Sequence, residues 1–209
     1  MMLAWEQSTV ERIDVALLGG GFNPIATQHQ LMGELIWEEL QMPTWMMPCY
    51  RHRFAKDSQL AESSHRWNMT SEVTMQFSFL TACDTEIFRQ HNGAMTDTLQ
   101  ELSYIHPDIQ FHIVIGMDNA NVIKEKWFRG KYLIQEHPFI VFQRTGEEPK
   151  DNWFLEEPHR LLTFDHKISS TDIRNAIHDG NYDFAQKHLN PMVWDYIVAG
   201  HLYGYGEKP

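Results

Sequence analysis

Cysteine is nearly absent from the sequence: only Cys49 and Cys83 occur among 209 residues. Two cysteines give no disulfide framework, and the expectation is a reducing, cytoplasmic setting. Long apolar runs are missing too. None approaches the roughly 18–20 residues that cross a bilayer, so no membrane partner is expected. The amino terminus, "MMLAWEQSTVERID", carries acidic residues and lacks the basic-then-apolar order of an export signal. A basic excess is also lacking. The formal net charge of −11 argues against a nucleic-acid surface, although a local group of donors can still hold a small phosphate ligand. Twelve histidines are scattered without His-x-x-x-His or Cys/His zinc spacing, so no protein-ligated metal is expected.

What remains is an ordinary globular chain, 43% hydrophobic and long enough for one domain with a full core. The expected organisation is an extension over residues 1–12 followed by a single domain over 13–209. Apolar runs read as strands at Ile13–Leu18, Thr44–Met47, Phe79–Ala82, Gln110–Ile115, Phe139–Gln143 and Arg160–Phe164. Helical spacing predicts helices at Gln28–Leu40, Ser64–Phe77, Met95–Ile105 and Tyr132–Glu136, then Thr171–Asp179 and Pro191–Ala199, with a short turn at Phe184–His188. Such alternation predicts an α/β fold, a Rossmann-like parallel sheet with helices on both faces. Ligands of such sheets bind at the carboxyl ends of the strands, where the strand order reverses. The polar stretches Tyr50–Ser64 and Thr145–Arg160 read as surface loops. Arg51, Arg53 and Lys56 in the first of them either face a ligand or are solvated.

Three segments carry chemistry. The first is "GGGFNPIATQHQ", Gly19–Gln30, between a strand and a helix. Pro24 breaks the Gly-x-Gly-x-x-Gly dinucleotide pattern and no Gly-Lys-Ser/Thr ending follows. A loop that lets backbone approach a ligand remains, leading to a helix start with free amides. His29 near that start reads either as a phosphate donor or as a structural histidine. The second segment is "HKISSTDIRNAI", His166–Ile177. Ser169, Ser170 and Thr171 are all N-cap candidates, and capping needs only one hydroxyl. Arg174 is expected in the first turn, where a cation opposes the helix dipole unless an anion sits there. The third, "IGMDNANVIKEKWFRGKYL", follows the run "FHIVI". Gly116 permits close approach, Asp118 offers an acceptor to ribose hydroxyls, and Trp127 offers a flat surface to a heterocycle. A core tryptophan and a helix-capping aspartate are the alternative.

Taken together, these segments resemble the nicotinate/nicotinamide mononucleotide adenylyltransferases, from about Ile13 to Tyr203. Gly20, Gly21, Phe22, Asn23, Pro24 and His29 match the family's Gly-x-Phe-Asp/Asn-Pro-x-His-x-x-His motif. Ile168 to Arg174 match its second motif at every defined position, and Gly116, Asp118, Trp127 and Leu133 match a third. "DTEIFR…AMTDTLQEL" resembles a further stretch, with Ala94 and Met95 in place of Ser-Tyr, and "VFQRTG" resembles a strand end carrying Arg144. Two departures fall on the first motif. Ala26 stands where the first histidine of the pair would be, and Gln28 where glycine is common.

The resemblance implies a fold, an activity and a set of contacts. ATP would meet Gly20, Gly21, Phe22, Asn23, Ala26 and His29 on one side. On the other it would meet Gly116, Asp118, Ile168, Ser169, Ser170, Thr171 and Arg174. His29, Arg174, Ser170 and Thr171 would carry the catalytic role. Phe22, Thr96, Trp127 and Arg144 would receive the pyridine mononucleotide, and Mg2+ would arrive on the phosphates of ATP. The implied reaction moves AMP from ATP to nicotinate or nicotinamide mononucleotide and releases pyrophosphate. Ala26 would weaken it unless Lys167, His166 or a loop cation compensates. A nucleotide sensor of the same fold, or a transferase for another phosphorylated substrate, is the alternative reading.

Overall fold

The inner strands of the sheet are covered on both faces, and this is why their segments read as largely apolar runs. The computed structural model describes residues 12–51, 60–144 and 146–206. Its strands are β1 (Ile13–Gly20), β2 (Thr44–Pro48), β3 (Leu80–Ala82), β4 (Ile109–Gly116), β5 (Phe139–Gln143) and β6 (Arg160–Thr163). All neighbours are parallel, in the order β3-β2-β1-β4-β5-β6. The connections are helical: α1 (Thr27–Leu40), α2 (Ser63–Thr74), α3 (Thr85–Arg89), α4 (Met95–Ile105), α5 (Met117–Ala120), α6 (Ile123–Lys126) and α7 (Gly130–Glu136). After β6 come α8 (Ser170–His178), α9 (Tyr182–Lys187) and α10 (Pro191–Ala199).

Side chains that alternate along a strand enter two different cores. Ala16 and Leu18 of β1 join Val114, Ile140 and Phe142 under Ile36 of α1, Ile173 of α8 and Ile197 of α10. Val15 and Leu17 point the other way, with Ile113, Phe139 and Val141, against Leu99 and Leu102 of α4 and Leu133 of α7. Each such Val, Leu, Ile or Phe side chain contributes about 1.5–3 kcal/mol of burial. The doubly covered parallel sheet expected from the alternation is the one observed.

Four features differ from the expectation for physical reasons. β1 runs on through Gly19 and Gly20, which stay in register with Met47 and Pro48. The short helices α3, α5 and α6 were not anticipated, since four or five residues carry no readable period. Phe184–His188, expected as a turn, overlaps the helix α9. The stretch expected as a surface loop over Thr145–Arg160 holds a 3-10 turn, Trp153–Leu155, whose Trp153 and Phe154 are buried in the core. Of the other expected loop, Arg53 and Lys56 lie outside the described residues, as does most of the 1–12 extension. Among the described residues no helix is long and apolar enough to cross a membrane.

Candidate active site

The strand order reverses between β1 and β4, and a cavity opens at the carboxyl ends of these two strands. It measures about 680 Å3, within the range of small-molecule sites. β1 and its loop contribute Gly19 to Phe22, α1 contributes Gln28, His29 and Met32, and β2 contributes Met47. Across the opening stand Gly116, Asp118 and Trp127 beyond β4, and Arg144 beyond β5.

The glycine loop is held in a shape it would not choose. Phe22, buried and bulky, sits at φ 43°, in the left-handed region that such residues avoid. Its neighbours enforce this. Arg66, 1% exposed, donates from Nη1 to the carbonyls of Gly21 (3.0 Å) and Cys49 (2.6 Å). The same guanidinium donates from Nη2 to Tyr50 (3.2 Å) and from Nε to Ala61 (2.9 Å). Asn23 Oδ1 accepts from the Ala61 amide at 2.9 Å and from the Tyr203 hydroxyl at 3.0 Å. One arginine and one asparagine thus tie the end of β1 to the end of β2 and to the carboxyl-terminal turn.

Ala26 takes the N-cap position of α1 with no side-chain cap. The His29 ring supplies a partner instead, since the Ala26 amide donates to His29 Nδ1 at 2.9 Å. An accepting Nδ1 carries no proton, so the single N–H of the neutral ring is on Nε2. Burial pulls the pKa of His29 down to about 4, and the nearby Arg144 and His166 add to the shift. His29 is therefore a neutral donor at physiological pH. No acidic residue lies in the first turn of α1, so its positive end is left for a ligand.

The start of α8 docks directly on this loop. Ser170 Oγ donates to the Pro24 carbonyl at 2.9 Å, and Arg174 Nη1 donates to the Asn23 carbonyl at 2.7 Å. Two expectations are corrected here. Arg174 is the fifth helical residue, not a first-turn residue, and its guanidinium already meets Asn23 and Thr171 Oγ1 (3.2 Å). The three hydroxyls do not exceed the protein's own needs either. Ser169 caps α8 reciprocally with Asp172, Ser170 binds Pro24, and Thr171 accepts from Arg174. Ile168, Ser169, Ser170, Thr171 and Arg174, with Asn23 and Ala26, form the shoulder of the loop and are not on the cavity wall.

At the β4 end, Gly116 is approached closely by the flexible side chain of Asp118. A Cβ there would lie 2.6 Å from Asp118 Oδ1, so the exposed carboxylate folds back over the glycine at the cavity mouth. Trp127 borders the cavity, is partly buried and packs against the second core, and its Nε1 is sealed without a partner. Thr96 is not on the wall. Its hydroxyl donates to Asp97 at 3.2 Å, while Gly93 and Met95 beside it do line the cavity.

A family model described as cytidylyltransferase-like matches residues 17–176. The chain belongs to the cytidylyltransferase-like family. Its fold is also that of Plasmodium falciparum nicotinic acid mononucleotide adenylyltransferase, solved in complex with NaAD. There the TM-score is 0.78 at 22% identity, over 94% of this chain and 100% of that one. The same Plasmodium enzyme complexed with APC matches at a TM-score of 0.76 and 22% identity, with the same coverage. A nicotinate-nucleotide adenylyltransferase assigned in Vibrio parahaemolyticus matches at 0.62 and 18% identity, over 89% and 99%.

Within this cytidylyltransferase-like site, sequence reasoning passed over Glu86, Asn119, Lys126 and Gln28 as wall residues. Glu86, 3% exposed, accepts from Thr98 Oγ1 at 3.1 Å while its Oε2 has no partner, and burial pushes its carboxyl up. Its signal was present in the "DTE" stretch, which resembles the adenylyltransferases. Lys126 and Asn119 had no signal beyond lying near Asp118 and Trp127. Arg51, one of the three loop cations weighed, does reach the wall.

Proposed function

We propose that the protein is an adenylyltransferase joining ATP to nicotinate or nicotinamide mononucleotide. One observation carries the reading: a single cavity runs from the glycine loop and His29 to Asp118, Trp127 and Arg144. That continuity suits two nucleotides meeting at their phosphates. The mononucleotide's phosphate oxygen attacks the α-phosphorus of ATP, the bond to the bridging oxygen breaks, and pyrophosphate leaves with the charge. The attacking phosphate is already anionic at neutral pH, so no general base is needed. The chain's part is alignment and donation to developing negative charge. In this reading His29 Nε2 and the amides at the start of α1 face the triphosphate, Arg174 holds the loop from behind through the Asn23 carbonyl, and Asp118 accepts from a ribose hydroxyl.

Magnesium belongs in the proposal as an ion carried on the phosphates, whose charge it would offset. Among the described residues no three His, Cys, Asp or Glu side chains converge on one point. Ala26 favours a second reading, a nucleotide sensor, because it leaves the loop without one side-chain donor. Pyrophosphate release measured with ATP and each mononucleotide decides between them. Release with neither mononucleotide, in a protein that still binds ATP, would select the sensor.

Trp127 gives a sharper check. Trp127→Ala should weaken mononucleotide binding by about 1–3 kcal/mol, the range for stacking on an aromatic ring, and leave ATP affinity nearly unchanged. Calorimetric titration with each ligand measures both. Equal weakening of the two would make Trp127 a core residue and remove it from the pyridine pocket.

A further inference from the structure

Gln28 is a buried side chain without an evident structural reason. It is the second residue of α1 and only 5% exposed, yet it lines the cavity beside His29. Its Oε1 is sealed from solvent with no hydrogen-bond partner. An apolar side chain would fill that space without stranding an amide oxygen, so packing alone does not account for glutamine. The same amide carries two N–H groups, donors on a residue that lines the cavity. They stand at the amino-terminal end of a 14-residue helix that has no acidic residue in its first turn. Donors and dipole there point the same way, at an anion.

Ala26 gives this placement its meaning. It is 4% exposed and among core residues, with nothing on its side chain to donate. Of the other candidates for making good that loss, Arg51 reaches the wall but lies beyond β2, away from the start of α1, and two more are off the wall. His166 is off the cavity wall, stacked on Phe164 with ring centroids 5.8 Å apart, and its Nδ1 is sealed. Lys167 is exposed and also off the wall.

We propose that Gln28 is a phosphate-contacting residue: its side-chain amide donates to a phosphoryl oxygen of the bound triphosphate next to His29. The two departures from the adenylyltransferase motif are then one exchange, a donor lost at position 26 and a donor gained at position 28. The inference rests on the triphosphate placement of the proposed function, but not on which mononucleotide accepts the AMP.

Three variants test it, with ATP titrated calorimetrically and pyrophosphate release measured on the same preparations. Gln28→Gly should lower turnover about ten- to hundredfold, somewhat less than loss of a full oxyanion donor, and weaken ATP binding. Gln28→Glu, of the same shape but anionic, should weaken ATP binding further. The double variant Ala26→His/Gln28→Gly should return turnover to within about threefold of the parent, because one donor replaces another. That rescue separates contact from stability, since both glycine variants share the same helix-weakening substitution. Gln28→Gly with parental ATP affinity and turnover would overturn the proposal, as would a loss that the double variant fails to restore. A parent protein that binds ATP but releases pyrophosphate with neither mononucleotide would end the adenylyltransferase reading alone, leaving Gln28 to be judged on ATP affinity. A parent that does not bind ATP would end both.

Discussion

Arg66→Met should lower the free energy of unfolding by about 3–5 kcal/mol, measured by urea denaturation at neutral pH. Arg66 is among the largest fully buried side chains, and its partners are the carbonyls of Gly21, Cys49, Tyr50 and Ala61. Methionine fills much of the same volume, so the loss comes from four acceptors stranded at once. Arg66→Lys keeps the charge but offers one point donor in place of a planar fork, and should fall between the two. Because Gly21 sits in the glycine loop, Arg66→Met should also reduce ATP affinity in the protein that remains folded. A loss below about 1 kcal/mol would mean that water replaces the guanidinium and that the loop's shape has another source.

The strands were legible because the property that defines them is local. A strand covered on both faces is apolar at nearly every position, and "VALL", "FHIVI" and "FIVF" announce it without knowledge of their neighbours. Strand ends were less so: nothing local to Gly19 and Gly20 says that β1 continues through them to pair with Met47 and Pro48. Trp153 and Phe154 were misplaced because acidic and proline neighbours outweighed two aromatics that the fold turns inward. In the site, residue identity was easier to read than residue role. Ser169, Ser170, Thr171 and Arg174 do stand together, but their first partners are each other and the glycine loop. Hydrogen bonds from Arg174 to Asn23 and from Tyr203 to Asn23 span 151 and 180 residues. No spacing rule reaches so far. Gln28 was visible only as a mismatch, and its burial beside an alanine is a fact of three dimensions.

His29→Ala should reduce turnover about 10²–10³-fold, the usual effect of removing one preorganised donor from developing negative charge. It also removes the acceptor of the Ala26 amide, so His29→Gln, which retains an acceptor, belongs beside it. If the histidine acts as a neutral donor, glutamine should recover part of the loss, and alanine none. The same ring predicts a pH dependence. Its folded pKa of about 4 lies below the ordinary histidine value, so between pH 6.5 and 4 the unfolded chain binds a proton that the folded chain refuses. Stability therefore rises with pH through that window, and acidification to pH 4 should remove about 2–3 kcal/mol on this account. In His29→Gln that share of the acid loss should disappear, read as a flatter plot of unfolding free energy between pH 6.5 and 4. Above pH 6.5 the ring is neutral in both states and the two proteins should run parallel. An unchanged acid slope in the variant would mean that folding does not lower the His29 pKa and that the ring charges in the folded protein as readily as in the unfolded chain.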